Sequence, residues 1–323
     1  MKLKNILVNF LLVIALSITT GCLVTSCDDW TEPEAVRYET IIPDQQNPEQ
    51  YALYTQAIRN FKEREHSIVC VRFANGNSDE GEKDFLRALP DSIDAVILEH
   101  PETLSTMDLD DCLMLQQNFS TKILYGFNLT NIKKDASVNS KELNDLLSSE
   151  LDKMITSIEE NELDGASILY HGEIDLNNSE VVTIHQVLFE KIASLVNAGK
   201  TLFFEGNPLF IPQKNRDLFS LYVLSTTSAS NANHLQLLIE QATDYANISL
   251  EKLLLAADIE KMNRDNNNRL VPQVPFITEQ VINSGPVKGL MIQNTATDYH
   301  TYPDVTYWQI RNAIQLLNPS PIH

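Results

Sequence analysis

Short apolar runs alternate with amphipathic stretches along almost the whole chain, and the alternation is regular enough to count. Residues 48–65 place Tyr51, Tyr54, Ile58 and Phe61 at helical spacing, and residues 67–73 follow as a continuous apolar run. A helical stretch at 82–89 leads to a strand at 95–100, and one at 109–119 leads to a strand at 122–128. The long amphipathic stretch 140–160 delivers the chain into a run beginning at Leu163, and 179–198 ends at Gly199 before a strand at 201–207. Further apolar runs occupy 221–226, 253–258 and 289–294, and a helix at 304–317 closes the series. Strands that are apolar on both faces belong to parallel sheets covered by helices, and eight β-then-α units predict a closed single-domain TIM (β/α)8 barrel over 48–323. An open doubly wound sheet is the alternative. It lacks support, because no Gly-x-Gly-x-x-Gly follows the first strand.

The fourth run is the informative one. Asp164-Gly165-Ala166-Ser167-Ile168-Leu169-Tyr170-His171-Gly172-Glu173 enters through Asp-Gly and leaves through Gly. Side chains alternate along a strand, so Ser167, Leu169, His171 and Glu173 share one face, the inward one in a barrel. Tyr170 then packs outward against helices. The last inward members stand at the C-terminal rim, where barrels carry their chemistry.

Composition narrows the partners. The 323 residues are 43% hydrophobic, enough for a sizeable core, and 44 acidic against 24 basic residues give a net charge of −20. No basic stripe is visible, which argues against nucleic acid or an anionic membrane surface as partner. No cofactor motif and no His/Cys cluster at metal-ligand spacing is present. Cys70 and Cys112 are the two cysteines of the body, read as inert core thiols with a disulfide as the alternative.

The first residues read as a targeting segment. Lys2 and Lys4 precede an apolar run at 6–18 that is too short to span a membrane as a stable helix, and residues 1–26 have the layout of a secretory signal peptide. Two lipobox-like sites follow, Thr19-Thr20-Gly21-Cys22 and Val24-Thr25-Ser26-Cys27. Cys27 is the preferred lipidation site, because an aliphatic residue stands three places before it, and Cys22 is the alternative. Residues 27–47 are acidic, contain proline and lack periodicity, as an acidic tether would.

The Asp-Gly start of the fourth strand resembles that of glycoside hydrolase family 18, the chitinases and endo-β-N-acetylglucosaminidases, whose motif runs Asp-Gly-x-Asp-x-Asp-x-Glu. Laid over this chain, the motif begins at Asp164 and then meets Ser167, Leu169 and His171 where the family has Asp, Asp and the acid Glu. The closing stretch from Trp308 to Pro319 and the opening Asp28-Asp29-Trp30 are similar to the lipoprotein branch of the family. The acidic pair after Cys27 resembles the export signal of surface lipoproteins in Gram-negative glycan foragers.

The resemblance implies substrate-assisted catalysis in active members: the sugar's N-acetyl oxygen attacks its own anomeric carbon, a Glu protonates the leaving oxygen and an Asp orients the acetamido group. Here Leu169 can accept no hydrogen bond, and His171, with an ordinary pKa of about 6.5, lacks the carboxylate that would poise it. Glu173 is the candidate displaced acid, although it lies about 6–7 Å beyond His171 along the strand. The family's sixth-strand Tyr-Asp is missing too, since Tyr222 stands too early.

These features imply a lipid-anchored outer-membrane protein at the cell surface that binds a GlcNAc-containing oligosaccharide without cleaving it, beside an outer-membrane glycan transporter. The alternatives are an active endo-β-N-acetylglucosaminidase using Glu173 or His171, and an interaction subunit of the transporter. Candidate glycan contacts are His171, Glu173, Glu205, Asn207, Asn128 and Gln293. Asn75, Asn77, Glu99, His100, Thr226, Asp258 and Asn294 also fall at strand ends, and Tyr170, Phe210, Tyr299 and Tyr302 are the aromatics available to stack on sugars. Glu99 and Asp258 have a second reading as loop-amide acceptors. The Asn/Asp-rich stretch 263–269 lacks the ligand spacing of a calcium loop and reads as a solvated rim loop.

Overall fold

The computed structural model describes residues 43–319 apart from 77–80, 136–139, 227, 228, 230, 266, 285, 286 and 303. The expected signal peptide, both lipidation cysteines, Trp30, most of the tether and Asn77 lie outside the described residues. Two compact units divide at Tyr51, and the barrel belongs to the unit Ala52–His323.

Eight strands close on one another: β1 (Ile68–Phe73), β2 (Ala95–Leu98), β3 (Lys122–Asn128), β4 (Gly165–Tyr170), β5 (Thr201–Gly206), β6 (Leu221–Leu224), β7 (Leu253–Asp258) and, after a hairpin, β10 (Gly289–Gln293). Every neighbour is parallel, and β10 pairs back onto β1 with Ile68 opposite Gly289. The α-helices from Pro48 onward are α1 (Pro48–Glu63), α2 (Thr106–Phe119), α3 (Leu129–Asp135), α4 (Ser140–Glu160), α5 (Ser179–Asn197), α6 (Ala232–Glu240), α7 (Gln273–Asn283) and α8 (Trp308–Leu317). The fold is the expected TIM (β/α)8 barrel. Among the described residues no helix is long and apolar enough to cross a membrane.

Strand alternation divides the core into two. Cys70, Ile97, Leu124, Phe203, Leu254 and Met291 fill the barrel interior, while Val71, Ile168, Tyr170, Phe204 and Tyr222 pack outward against the helices. Cys70 and Cys112 are both free and buried, one in each core. Burial lifts both thiols, Cys112 to about 12, so both are protonated at neutral pH.

The Asp-Gly that opens β4 is structural. Gly165 has φ +154, and a Cβ there would stand 1.8 Å from the Thr201 carbonyl oxygen, so only glycine lets β4 and β5 meet. Asp164 Oδ2 accepts the Ile123 N–H at 2.8 Å and the Gln116 side-chain amide at 2.9 Å, tying β3, β4 and α2 together at the barrel's lower end.

Three elements depart from the sequence expectation. The helix at 82–89 is instead two 3₁₀ turns, Glu82–Asp84 and Leu86–Ala88, because Leu86 and Leu89 bury at a spacing of three, which one 3₁₀ turn satisfies. The closing helix begins at Trp308, since Tyr307 adopts the left-handed conformation and the buried Asp298 caps it by accepting the Gln309 and Ile310 N–H groups. Asn263 and Arg264, expected in a rim loop, belong to a hairpin strand, β8 (Met262–Arg264) against β9 (Leu270–Pro272), and after it Asp265 accepts the Asn267 and Arg269 N–H groups.

Candidate functional site

The inward face of β4 meets two charges that come from far along the chain. Arg72 on β1 donates from Nε to Glu205 Oε2 at 3.1 Å and from Nη2 to Oε1 at 2.7 Å, and Ser167 Oγ donates to the same Oε1 at 2.5 Å. The side chains of Arg72 and Glu205 are 11% and 2% exposed, so the pair sits inside the barrel. Burial disfavours the guanidinium charge, but Glu205 and then Glu99 outweigh it and hold the Arg72 pKa above its ordinary value. A carboxylate therefore does lie beside the first interior position of the resembled motif, but it is carried by β5 and committed to an arginine.

Above this floor the mouth opens into a cleft of about 1680 Å³ whose wall includes Arg72, Glu99, Asn128, Leu169, His171 and Gln293, and which continues outward past His100 along α4. The His171 N–H donates to Thr130 Oγ1 at 2.8 Å, which fixes the backbone at the end of β4. Burial lowers the His171 pKa below its ordinary value; the Glu205 charge opposes this and the Arg72 charge adds to it. The imidazole is thus neutral at neutral pH, a hydrogen-bonding group rather than a proton donor.

The six candidate contacts divide evenly. Asn128, His171 and Gln293 line the cleft. Glu205 lies beneath it, sealed into the ion pair, because its parity turns it into the lumen one layer below the rim. Asn207 is exposed and caps a 3₁₀ turn through Leu209 N–H. Glu173 falls outside the cleft lining: its carboxylate accepts from Asn178 Nδ2 at 3.0 Å, and its carbonyl accepts the Tyr170 hydroxyl. The chain turns away at Gly172, so strand parity no longer applies at 173.

Other strand-end residues are mostly structural. Asn75 is buried and clamps two loops by exchanging hydrogen bonds with the His100 backbone. Thr226 Oγ1 donates to the Ala256 carbonyl. Asp258 accepts from Glu260 N–H and Asn294 Nδ2 and pairs with Lys261; together these outweigh its burial and hold its pKa low, as the loop-amide reading anticipates. Glu99, His100 and Asn294 differ in lining the cleft. Of the aromatics, Tyr170 and Phe210 pack against each other in the outer core, Tyr299 bonds Glu82, and Tyr302 stacks on Trp308. Tyr222 spends its hydroxyl on the Arg216 carbonyl. Among the described residues no group of three or more His, Cys, Asp or Glu is arranged to hold a metal.

Sequence reasoning missed Arg72. Its signal was present: one cation inside an apolar strand, sharing Cys70's inward parity, demands a buried anion.

Comparison with known proteins agrees with this architecture. Nothing among the curated proteins matches the chain. A selenomethionine form of BT1044 carrying a Glu-to-Gln substitution superposes with a TM-score of 0.68 at 17% identity, covering 85% of this chain and 95% of that one. An endo-β-N-acetylglucosaminidase variant from Cordyceps militaris, in complex with fucosyl-N-acetylglucosamine-Asn, gives 0.59 at 18% identity over 82% and 95%. A family 18 chitinase from Pseudoalteromonas aurantia gives 0.56 at 14% identity over 78% and 100%. These likenesses are of fold. The family model described as glycoside hydrolase family 18, BT1044-like, matches residues 31–316, and the chain belongs to that family.

Proposed function

We propose that this protein is a glycan-binding member of the family that holds a GlcNAc-containing oligosaccharide in the barrel mouth without hydrolysing it. One observation carries the reading: the acid position of the β4 motif is His171, whose imidazole is kept neutral, while the carboxylate at the motif's depth, Glu205, is bound by Arg72 and Ser167. Asn128, Gln293 and His171 offer uncharged donors and acceptors suited to sugar hydroxyls and acetamido groups. The Cordyceps relative's complex with fucosyl-N-acetylglucosamine-Asn supports this ligand class. The sequence start further supports secretion, acylation at Cys27 with Cys22 as alternative, and display at an outer-membrane surface beside a glycan transporter.

A hydrolytic reading is favoured by one feature, the carboxylate of Glu99 in the cleft wall. Calorimetric titration with a chitobiose-cored N-glycan, with mass spectrometry of the same mixtures, separates the two. Binding predicts saturable heat and intact glycan, weakened about tenfold by His171→Ala and unchanged by Glu173→Gln. Released reducing ends that disappear in Glu99→Gln would establish the hydrolase. Metabolic labelling with a fatty acid tests the anchor: Cys27→Ser should abolish incorporation.

A further inference from the structure

The opposite end of the barrel carries another cavity, of about 270 Å³, bounded by the first residues of several strands: Ile68, Ala95, Lys122, Thr201 and Leu221. Lys62, His66 and Lys288 complete its cationic wall. In a chain of net charge −20, three lysines and a histidine thus converge on one small space.

Asp94 is the one carboxylate in that wall, and both its oxygens are engaged. Oδ1 faces His66 Nε2 at 2.8 Å, and Oδ2 accepts the Val69 N–H at 2.8 Å. His66 Nδ1 lies 2.7 Å from the Arg64 carbonyl, which can only accept. Both ring nitrogens therefore face acceptors, which favours the protonated imidazole and holds its pKa above the ordinary value. Asp94 bonds that ring, and its charge also acts on Lys62.

The ammonium groups meet neutral partners. Lys62 donates to the Ile93 carbonyl and to Thr121 Oγ1, and Lys122 donates to Thr201 Oγ1. Among the described residues no partner is seen for the Lys288 ammonium. Burial brings the Lys62 pKa down to about 8, against Asp94 and Asp91, which raise it. Glu65 and Glu251 flank His66 and Lys288 in an adjoining hollow rather than in this cavity.

We infer that the N-terminal mouth of the barrel is a binding site for a small oxyanion of the phosphate class, held by Lys62, Lys122 and Lys288. The cavity accommodates such an ion with several waters at about 30 Å³ each. The ligand is either free inorganic phosphate or a phospholipid headgroup. The site lies at the other end of the barrel from the glycan cleft and does not depend on the function proposed there.

Titration of the purified protein with inorganic phosphate at constant ionic strength tests the inference. Saturable binding is expected, with affinity lowered about tenfold or more in Lys122→Gln/Lys288→Gln, because each removes a charge-assisted contact. The melting temperature of that double variant without phosphate should match the parent, which guards against misfolding; Lys62→Met carries more folding risk and serves as a second variant. Co-sedimentation with vesicles of equimolar phosphatidylglycerol and phosphatidylcholine separates the sources: capture lost in the double variant identifies a headgroup, and phosphate binding without capture identifies the free ion. No saturable phosphate binding, or binding the double variant leaves intact, overturns the site.

Discussion

Arg72 and Glu205 stand on β1 and β5, strands on opposite sides of the closed barrel, and their paired hydrogen bonds of 3.1 and 2.7 Å bridge its interior. The bridge lies just below the cleft. It determines what the carboxylate there can do: both oxygens are taken up by Arg72 and Ser167, so neither is left to reach a sugar in the cleft.

Breaking the pair on one side should be costly. Glu205→Gln leaves the Arg72 charge buried without a counterion, and a loss of about 3–5 kcal/mol in urea unfolding is expected. Replacing both partners by apolar residues, Arg72→Met/Glu205→Leu, should recover most of it. Equal instability in single and double variants would show that the pair is not what stabilises the floor.

Returning a carboxylate to β4 should fail unless β5 gives its own up. Ser167 Oγ is 2.5 Å from Glu205 Oε1, so in Ser167→Asp two carboxyls would compete for one place and one would be driven to protonate. The exchange variant Ser167→Asp/Glu205→Ser should be more stable than Ser167→Asp alone by about 1–3 kcal/mol, read as coupling in a double-mutant cycle. Additive effects would sink this account.

Asp164 is the motif carboxylate this chain retains, and its contacts are architectural. Asp164→Ala strips the Ile123 N–H and the Gln116 amide of their acceptor and should cost about 1–3 kcal/mol of stability. Glycan affinity in the folded variant should be unchanged by calorimetry. A selective loss of affinity would give Asp164 a role at the mouth that its position at the far end of the barrel does not support.

His66 should make stability depend on pH. Its hydrogen bond to Asp94 is the main cause that raises its pKa, with the Arg64 carbonyl adding, against burial and the Lys288 charge. A raised folded pKa contributes stability that is fully present below the unfolded value near 6.5 and is lost as pH rises through the folded value. His66→Gln should therefore lower the urea midpoint more at about pH 6 than at about pH 9. A gap that widens with pH would have the wrong sign.

Much of this barrel was legible before any coordinates, and for a local reason. Strand and helix periodicities are properties of neighbouring residues, so the eight runs, the outward Tyr170 and the inward Ser167, Leu169 and His171 follow from the order of side chains alone. Glu173 escaped that logic because parity ends where the strand does, at the turn through Gly172. Glu205 was found but misjudged, since its partner is 133 residues away and nothing local names Arg72.

By itself, then, the order of residues determined the fold class, the family and the absence of carboxylates at three motif positions. Only the closed barrel decided which charges meet: it brought Arg72 from β1 to Glu205 on β5, and gathered Lys62, Lys122 and Lys288 around one opening. Closure juxtaposes residues distant in the chain, and electrostatic partnership depends on distance in space.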